Sequence, residues 1–176
     1  MATIPLAIIT NLLAINWSYF KDFCKYYMPE GEGRFQIIPI QKTNAVVIND
    51  AYNANPDSFN VSLDALNSMY EQREKILIIG DMRELGENAF MFHQIVVEKI
   101  KTIKNIMKII VCGEMFFNIL CNIDQLKNIL VYCNSHQEII SEAKKSFNEN
   151  SIIFIKASNG FELYKLPKII LAMFDE

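Results

Sequence analysis

Three short polar segments hold the residues of this chain best suited to chemistry. The first, Asn49-Asp50-Ala51-Tyr52-Asn53-Ala54-Asn55-Pro56-Asp57-Ser58, sets two acids, three amides and an aromatic ring between two apolar runs. Asp50 can accept hydrogen bonds from sugar hydroxyls, Asn53 and Asn55 can both donate and accept, and Tyr52 offers a flat face to a base or sugar. Pro56 fixes a turn, and Asp57 or Ser58 can cap a following helix. An Asx-rich turn accounts for those last three residues by itself, so composition leaves a ligand site and a structural turn both open. The second segment, Gly80-Asp81-Met82-Arg83-Glu84-Leu85-Gly86-Glu87, places acids around an arginine directly after an apolar run. A carboxylate at such a point can hold a metal or an amine, although a solvated loop with Arg83 and Glu84 paired is equally consistent. In the third, Lys156-Ala157-Ser158-Asn159-Gly160, Lys156 and Ser158 suit an anionic group, while Ser158 or Asn159 can cap the closing helix.

Several chemistries are excluded. No G-x-x-x-x-G-K-[ST] or G-x-G-x-x-G pattern occurs, so the chain carries neither a phosphate loop nor a dinucleotide fingerprint. His93 stands alone on a helical stretch and reads as structural or exposed rather than catalytic. His136 follows Ser135, where a helix cap explains the local sequence. Cys24, Cys112, Cys121 and Cys133 form no C-x-x-C pair and share no metal-like spacing with the histidines. They read as buried thiols of a cytoplasmic protein, and no metal site is expected. The net charge of −3, with Arg34, Arg73 and Arg83 as the three arginines, excludes a general nucleic-acid binder.

The elements that must position these segments follow from hydrophobic periodicity. Met1 to Phe20 is uncharged but interrupted by Thr10, Asn11, Asn16 and Ser18. Ile8, Leu12, Ile15 and Tyr19 recur at helical spacing, which fits a core helix better than a membrane span or a signal peptide. Residues 30–33 (Glu-Gly-Glu-Gly) form a polar break and a candidate domain boundary. Beyond it the pattern predicts strands at 35–40, 45–49, 75–79, 107–112, 129–133 and 151–155. Helices are predicted at 58–70, 89–103, 114–121, 137–147 and 162–174, with Leu63, Leu66 and Met69 on the buried face of the first. The regular alternation after residue 75 predicts a three-layer, Rossmann-like α/β domain with a mainly parallel sheet, preceded by a helical remnant. Ligands in such folds sit outside the carboxyl ends of the strands, where all three polar segments fall.

The runs INDAYNANPDSF (48–59) and IIGDMRELGE (78–87), followed by His93, resemble the C-terminal domain of Mur ligases, and the MurF type in particular. Gly33-Arg34 is similar to the family's G-R step between central and C-terminal domains. Ile155 to Ser158 resembles a K-G-S segment, with Ala157 in place of glycine and Asn159 where a basic residue is usual. The likeness runs from about Gly33 to the chain end. It implies an ATP-dependent ligase of cell-wall precursor synthesis, which converts the carboxylate of a UDP-N-acetylmuramoyl-tripeptide to an acyl phosphate for attack by the amine of D-Ala-D-Ala. By the same resemblance Arg34 contacts nucleotide phosphate, and Asp50, Tyr52, Asn53 and Asn55 lie near ribose and adenine. Asp81, Glu84, Lys156 and Ser158 border the D-Ala-D-Ala site. The phosphate loop, the Mg2+ ligands and the modified lysine belong to the family's central domain. Residues 1–32 then read as the tail end of that domain and 33–176 as the C-terminal domain. The expectation is a truncated or split ligase that cannot catalyse alone and whose partner would be a separately encoded N-terminal portion. Two alternatives stand beside it: a non-catalytic α/β binding or regulatory module derived from the ligase, and a receiver-like domain phosphorylated on Asp81.

Overall fold

A computed structural model of the chain describes residues 33–173. The helical reading of Met1–Phe20, residues 30–32 of the polar break, Cys24 and the end of the closing helix at Phe174 lie outside the described residues. The strands are β1 (Gln36–Pro39), β2 (Val46–Asn49), β3 (Lys75–Gly80), β4 (Ile106–Cys112), β5 (Leu130–Tyr132) and β6 (Ile152–Lys156). The helices are α1 (Pro56–Met69), α2 (Ala89–Ile100), α3 (Glu114–Leu120), α4 (His136–Ser146) and α5 (Leu166–Ala172). One six-stranded sheet runs in the order β1-β2-β6-β3-β4-β5. β1 pairs antiparallel with β2 as a hairpin, and every other pairing is parallel.

Two apolar layers sandwich the sheet, as expected where crossover helices cover both faces. On one face Phe59, Leu63 and Leu66 of α1, Val96, Val97 and Ile100 of α2 and Phe116 of α3 pack on Ile48, Leu77, Ile109 and Phe154. On the other, Ile139 and Ala143 of α4 and Leu166 and Ile170 of α5 pack on Val47, Ile76, Ile110, Ile153 and Ile155. Buried on both sides, β3 shows no alternation: all six of its residues are buried. Lys75 at its start satisfies its ammonium by donating to the carbonyls of Arg73 (2.8 Å) and Lys104 (3.0 Å).

Three details depart from the sequence reading. Met69 is exposed, and Phe59 takes its place on the buried face of α1. The first turn of that helix starts at Pro56, so neither Asp57 nor Ser58 is the cap. Asn55 is: its side chain accepts from the Ser58 amide (2.8 Å) while the Ser58 hydroxyl accepts from the Asn55 amide (3.1 Å), a reciprocal capping box. The closing helix begins late because two short 3-10 turns, Asn159–Phe161 and Leu163–Lys165, precede it and Pro167 lies in its first turn. Neither Ser158 nor Asn159 caps it. No helix among the described residues is long and apolar enough to cross a membrane. Replacing Asn55 by Ala removes one capping bond and should lower stability by about 1 kcal/mol in urea unfolding. An unchanged midpoint would show that the cap is not needed.

Candidate functional site

The carboxyl end of the sheet carries two distinct polar regions separated by β6. The first is built on Asp50, immediately after β2. Its Oδ1 accepts from the Phe35 amide (3.0 Å), and its Oδ2 accepts from the Ser62 hydroxyl (2.5 Å) and the Lys156 ammonium (2.5 Å). Side-chain exposure is 1% for Lys156 and 13% for Asp50, so this ion pair is held out of solvent. Burial pulls the Lys156 pKa below the ordinary lysine value, with Asp50 opposing the shift. Lys156 also lies 5.3 Å from the centre of the Phe59 ring.

Outside this pair the surface turns polar and open. Tyr52 is about half exposed, and the Arg34 guanidinium lies 4.4 Å from its ring centre, a cation–π contact. The Tyr52 amide donates to the Gly33 carbonyl (2.9 Å), and an added Cβ at Gly33, where φ is +80°, would come 2.8 Å from that amide nitrogen. Glycine is therefore required where the chain turns into β1. Asn53 and Asn55 are exposed on the same loop. The Asn53 side-chain oxygen accepts from the Ala54 amide (2.8 Å).

The second region is a cleft of about 640 Å³ at the ends of β3, β4 and β5, lined among others by Asp81, Arg83, Glu84, Glu114, Tyr132 and Phe161. Asp81 does not reach into it as a free acid. Its two oxygens accept from the amides of Met115 and Phe116 (3.0 Å each), the first turn of α3. The N-cap of that helix is Gly113, which has no side chain to offer, so a carboxylate from the neighbouring strand end satisfies the orphan donors and the positive end of the dipole. An added Cβ at Gly113 would come 2.3 Å from the Asp81 carboxyl carbon. His93 is fully buried beneath this loop. Its Nε2 accepts from the Met82 amide (3.0 Å), which leaves the proton on Nδ1, shared with the Ala89 carbonyl (2.7 Å). The histidine braces the loop, so of the two non-catalytic readings, structural and exposed, the structure shows the structural one. Ser135 caps α4 by accepting from the Glu138 amide (3.2 Å).

Some expected site residues come together and others do not. Asp81 and Glu84 line the cleft; Lys156 and Ser158 are not among its lining residues. Lys156, assigned with them from the sequence, is instead paired to Asp50, assigned to the other region. Ser158 accepts from the Arg83 amide (2.9 Å) and so fixes the cleft loop from behind. Arg83 forms no pair with Glu84; its guanidinium lies 4.8 Å from the Phe161 ring centre. Phe161, Tyr132 and Gly113 were missed because nothing in their local sequence marks them; only the order of strands brings them to the cleft. The receiver-like alternative finds no support in the geometry, since Asp81 is occupied by α3 and the strand-end lysine belongs to Asp50. Among the described residues, no three His, Cys, Asp or Glu side chains converge as a metal site.

Cys112 ends β4, Cys133 follows β5, and both line the cleft. Burial, with smaller contributions from Cys133 and Asp81, pushes the Cys112 thiol up to about 12; burial, Glu138 and Glu142 push Cys133 up to about 11. Unfolded thiols ionise near roughly 8.5, so the unfolded chain loses these protons first and stability falls as pH rises from there through the folded values. Melting temperatures between pH 8 and 10.5 should decline less steeply in a Cys112→Ala/Cys133→Ala variant; equal slopes would remove the thiols as the cause. The ion pair yields a second expectation. Lys156→Met strands a buried carboxylate and should cost about 3–5 kcal/mol. Adding Asp50→Asn should recover part of that loss in denaturant unfolding, whereas additive losses would show the two side chains to be uncoupled.

The family model for the glutamate ligase domain of Mur ligases matches residues 33–159. The UDP-N-acetylmuramoyl-tripeptide–D-alanyl-D-alanine ligase of Borreliella burgdorferi is 27% identical over 138 residues, covering 78% of this chain and 29% of that protein. The ligase of the same name from Rickettsia prowazekii is 32% identical over 138 residues, covering 77% and 29%. The chain thus spans under a third of the length of these curated relatives. Among solved structures, MurF from Acinetobacter baumannii aligns with a TM-score of 0.71 at 17% identity, covering 93% of this chain and 35% of that one. MurF from Thermotoga maritima in complex with ADP aligns at 0.64 and 18%, covering 84% and 32%. These identities speak for the fold alone. With the family model matched over most of its length, and with its relatives of the D-alanyl-D-alanine-adding type, the chain belongs to the Mur ligase family, as a counterpart of the C-terminal part of a MurF-type ligase.

Proposed function

We propose that the chain supplies the nucleotide-closing and dipeptide-binding part of a cytoplasmic, ATP-dependent ligase that joins D-Ala-D-Ala to UDP-N-acetylmuramoyl-tripeptide during peptidoglycan precursor synthesis. The observation that carries this reading is the placement of the two family segments. Asp50–Asn55 and Asp81–Glu87 follow β2 and β3, on either side of β6, so one sheet end presents a polar aromatic surface and a separate cleft. Arg34, exposed and stacked on Tyr52, is the cation offered to nucleotide phosphate, with Tyr52, Asn53 and the Asn55 amide group around the base and sugar. Asp50 shapes this surface by holding Phe35, Ser62 and Lys156. The cleft bordered by Asp81 and Glu84 takes the dipeptide, with Ser158 fixing its loop from behind, while Lys156 acts on the other side of β6 by holding Asp50. Closing these surfaces over an acyl phosphate excludes the water that would hydrolyse it.

No phosphate loop occurs in the 176 residues. Ligation therefore needs a portion bearing that loop and the Mg2+ ligands, whether continuous with residues 1–32 as the tail of a central domain or supplied separately. Purified chain given ATP, Mg2+, D-Ala-D-Ala and the UDP-linked tripeptide should form no product, and adding a phosphate-loop-bearing portion should restore ligation. Arg34→Ala should then reduce turnover by about 10- to 100-fold, the scale of one lost charge-assisted contact. Ligation by the chain alone would refute the division of labour, and a mixture that binds neither nucleotide nor dipeptide would favour a non-catalytic module.

A further inference from the structure

Among the residues lining the cleft, Arg83 is the one permanent cation; Asp81, Glu84 and Glu114 are acids, and Asp81 is already committed to the α3 amides. The Arg83 side chain does not simply trail into solvent. Its own amide is fixed by the Ser158 hydroxyl, its Cζ lies 4.8 Å from the centre of the Phe161 ring, and Gly160 makes room for it: an added Cβ there would fall 2.0 Å from Nη1 and 2.5 Å from Cζ. Among the described residues no carboxylate lies within ion-pair distance of it. The contact with the ring uses none of the guanidinium's hydrogen-bond donors on a protein oxygen, so its planar fork of N–H groups stays available. That fork matches the two oxygens of a carboxylate. The neighbouring position 159 holds Asn159, which brings no charge, so Arg83 delivers the cation to this stretch of backbone from the adjoining strand end.

We infer that Arg83 is a specificity residue that recognises the terminal carboxylate of the peptide taken by the cleft, seated for that task by Gly160 and Phe161. The inference rests on the cleft being the dipeptide site. It is tested by titrating the full chain, and the variants Arg83→Gln, Arg83→Lys and Gly160→Ala, with D-Ala-D-Ala and with its C-terminal amide, following amide NMR shifts at the cleft. The parent chain should prefer the acid over the amide by on the order of 10-fold or more, the scale of a hydrogen bond to a charged group. Arg83→Gln should erase that preference by weakening the acid alone. Gly160→Ala should reduce it with the charge still present, and Arg83→Lys should retain only part of it. Equal binding of acid and amide by the parent chain would overturn the assignment of Arg83 while leaving the cleft reading intact, and so would a Gln variant that weakens both ligands alike. No cleft shifts with either ligand would overturn both.

Discussion

The buried pair of Asp50 and Lys156 is the constraint on which the carboxyl end of this domain depends. A lysine held at 1% exposure is tolerable only with its charge answered, and the answer comes from a residue 106 positions earlier in the chain. The pair adds little over an apolar replacement of the same volume, yet leaving either member alone is costly. Its value is geometric. It requires the end of β6 to lie beside the end of β2, and through Ser62 and the Phe35 amide it ties α1 and the turn into β1 to the same carboxylate. Three segments thereby share the one carboxylate carried by the end of β2.

The strand that carries Lys156 also carries Ser158, and the two residues act on opposite neighbours. Lys156 reaches Asp50 and the Asn53 carbonyl on the β2 side, while Ser158 accepts from the Arg83 amide on the β3 side. Between them Ala157 is fully buried, with its methyl against Gly80; a Cβ at position 80 would meet it at 2.8 Å. An alanine where the resembled segment has glycine is thus accommodated by a glycine on the adjacent strand. The end of β6 works as a strut that sets the spacing between the polar surface and the cleft.

How much of this could be read from the sequence depends on whether the signal is local. The apolar run at Lys75–Ile79, the alternation of strands and helices and the Ser135 cap are written in neighbouring residues, and the structure has them where they were expected. Periodicity misplaced Met69 because the helix starts at Pro56 and its inward stripe begins at Phe59. The site was less legible. Asp50, Asp81, Lys156 and Ser158 all stood out as polar residues at strand ends, but their partners are set by the sheet order. β6 inserts between β2 and β3, a choice no local pattern announces. Hence a lysine expected to face a ligand is the counter-ion of an aspartate, and an aspartate expected to hold an amine is the cap of a helix whose own cap position is glycine.

The same logic explains why the turn at residues 33–35 belongs to the rigid domain. Phe35 adopts a left-handed backbone (φ +51°), a conformation that costs a residue with a side chain of the order of 1 kcal/mol or more. Such strain persists only where the surroundings over-determine it, and here they do. The Gly33 carbonyl is held by the Tyr52 amide, the Phe35 amide by Asp50, and the Phe35 ring packs 6.5 Å from that of Phe154 in β6. Arg34, between two fixed residues, has its backbone set by these contacts while its side chain lies exposed on Tyr52. The position of Arg34 relative to Tyr52 and the Asn53–Asn55 loop is therefore fixed by the same contacts that hold the turn.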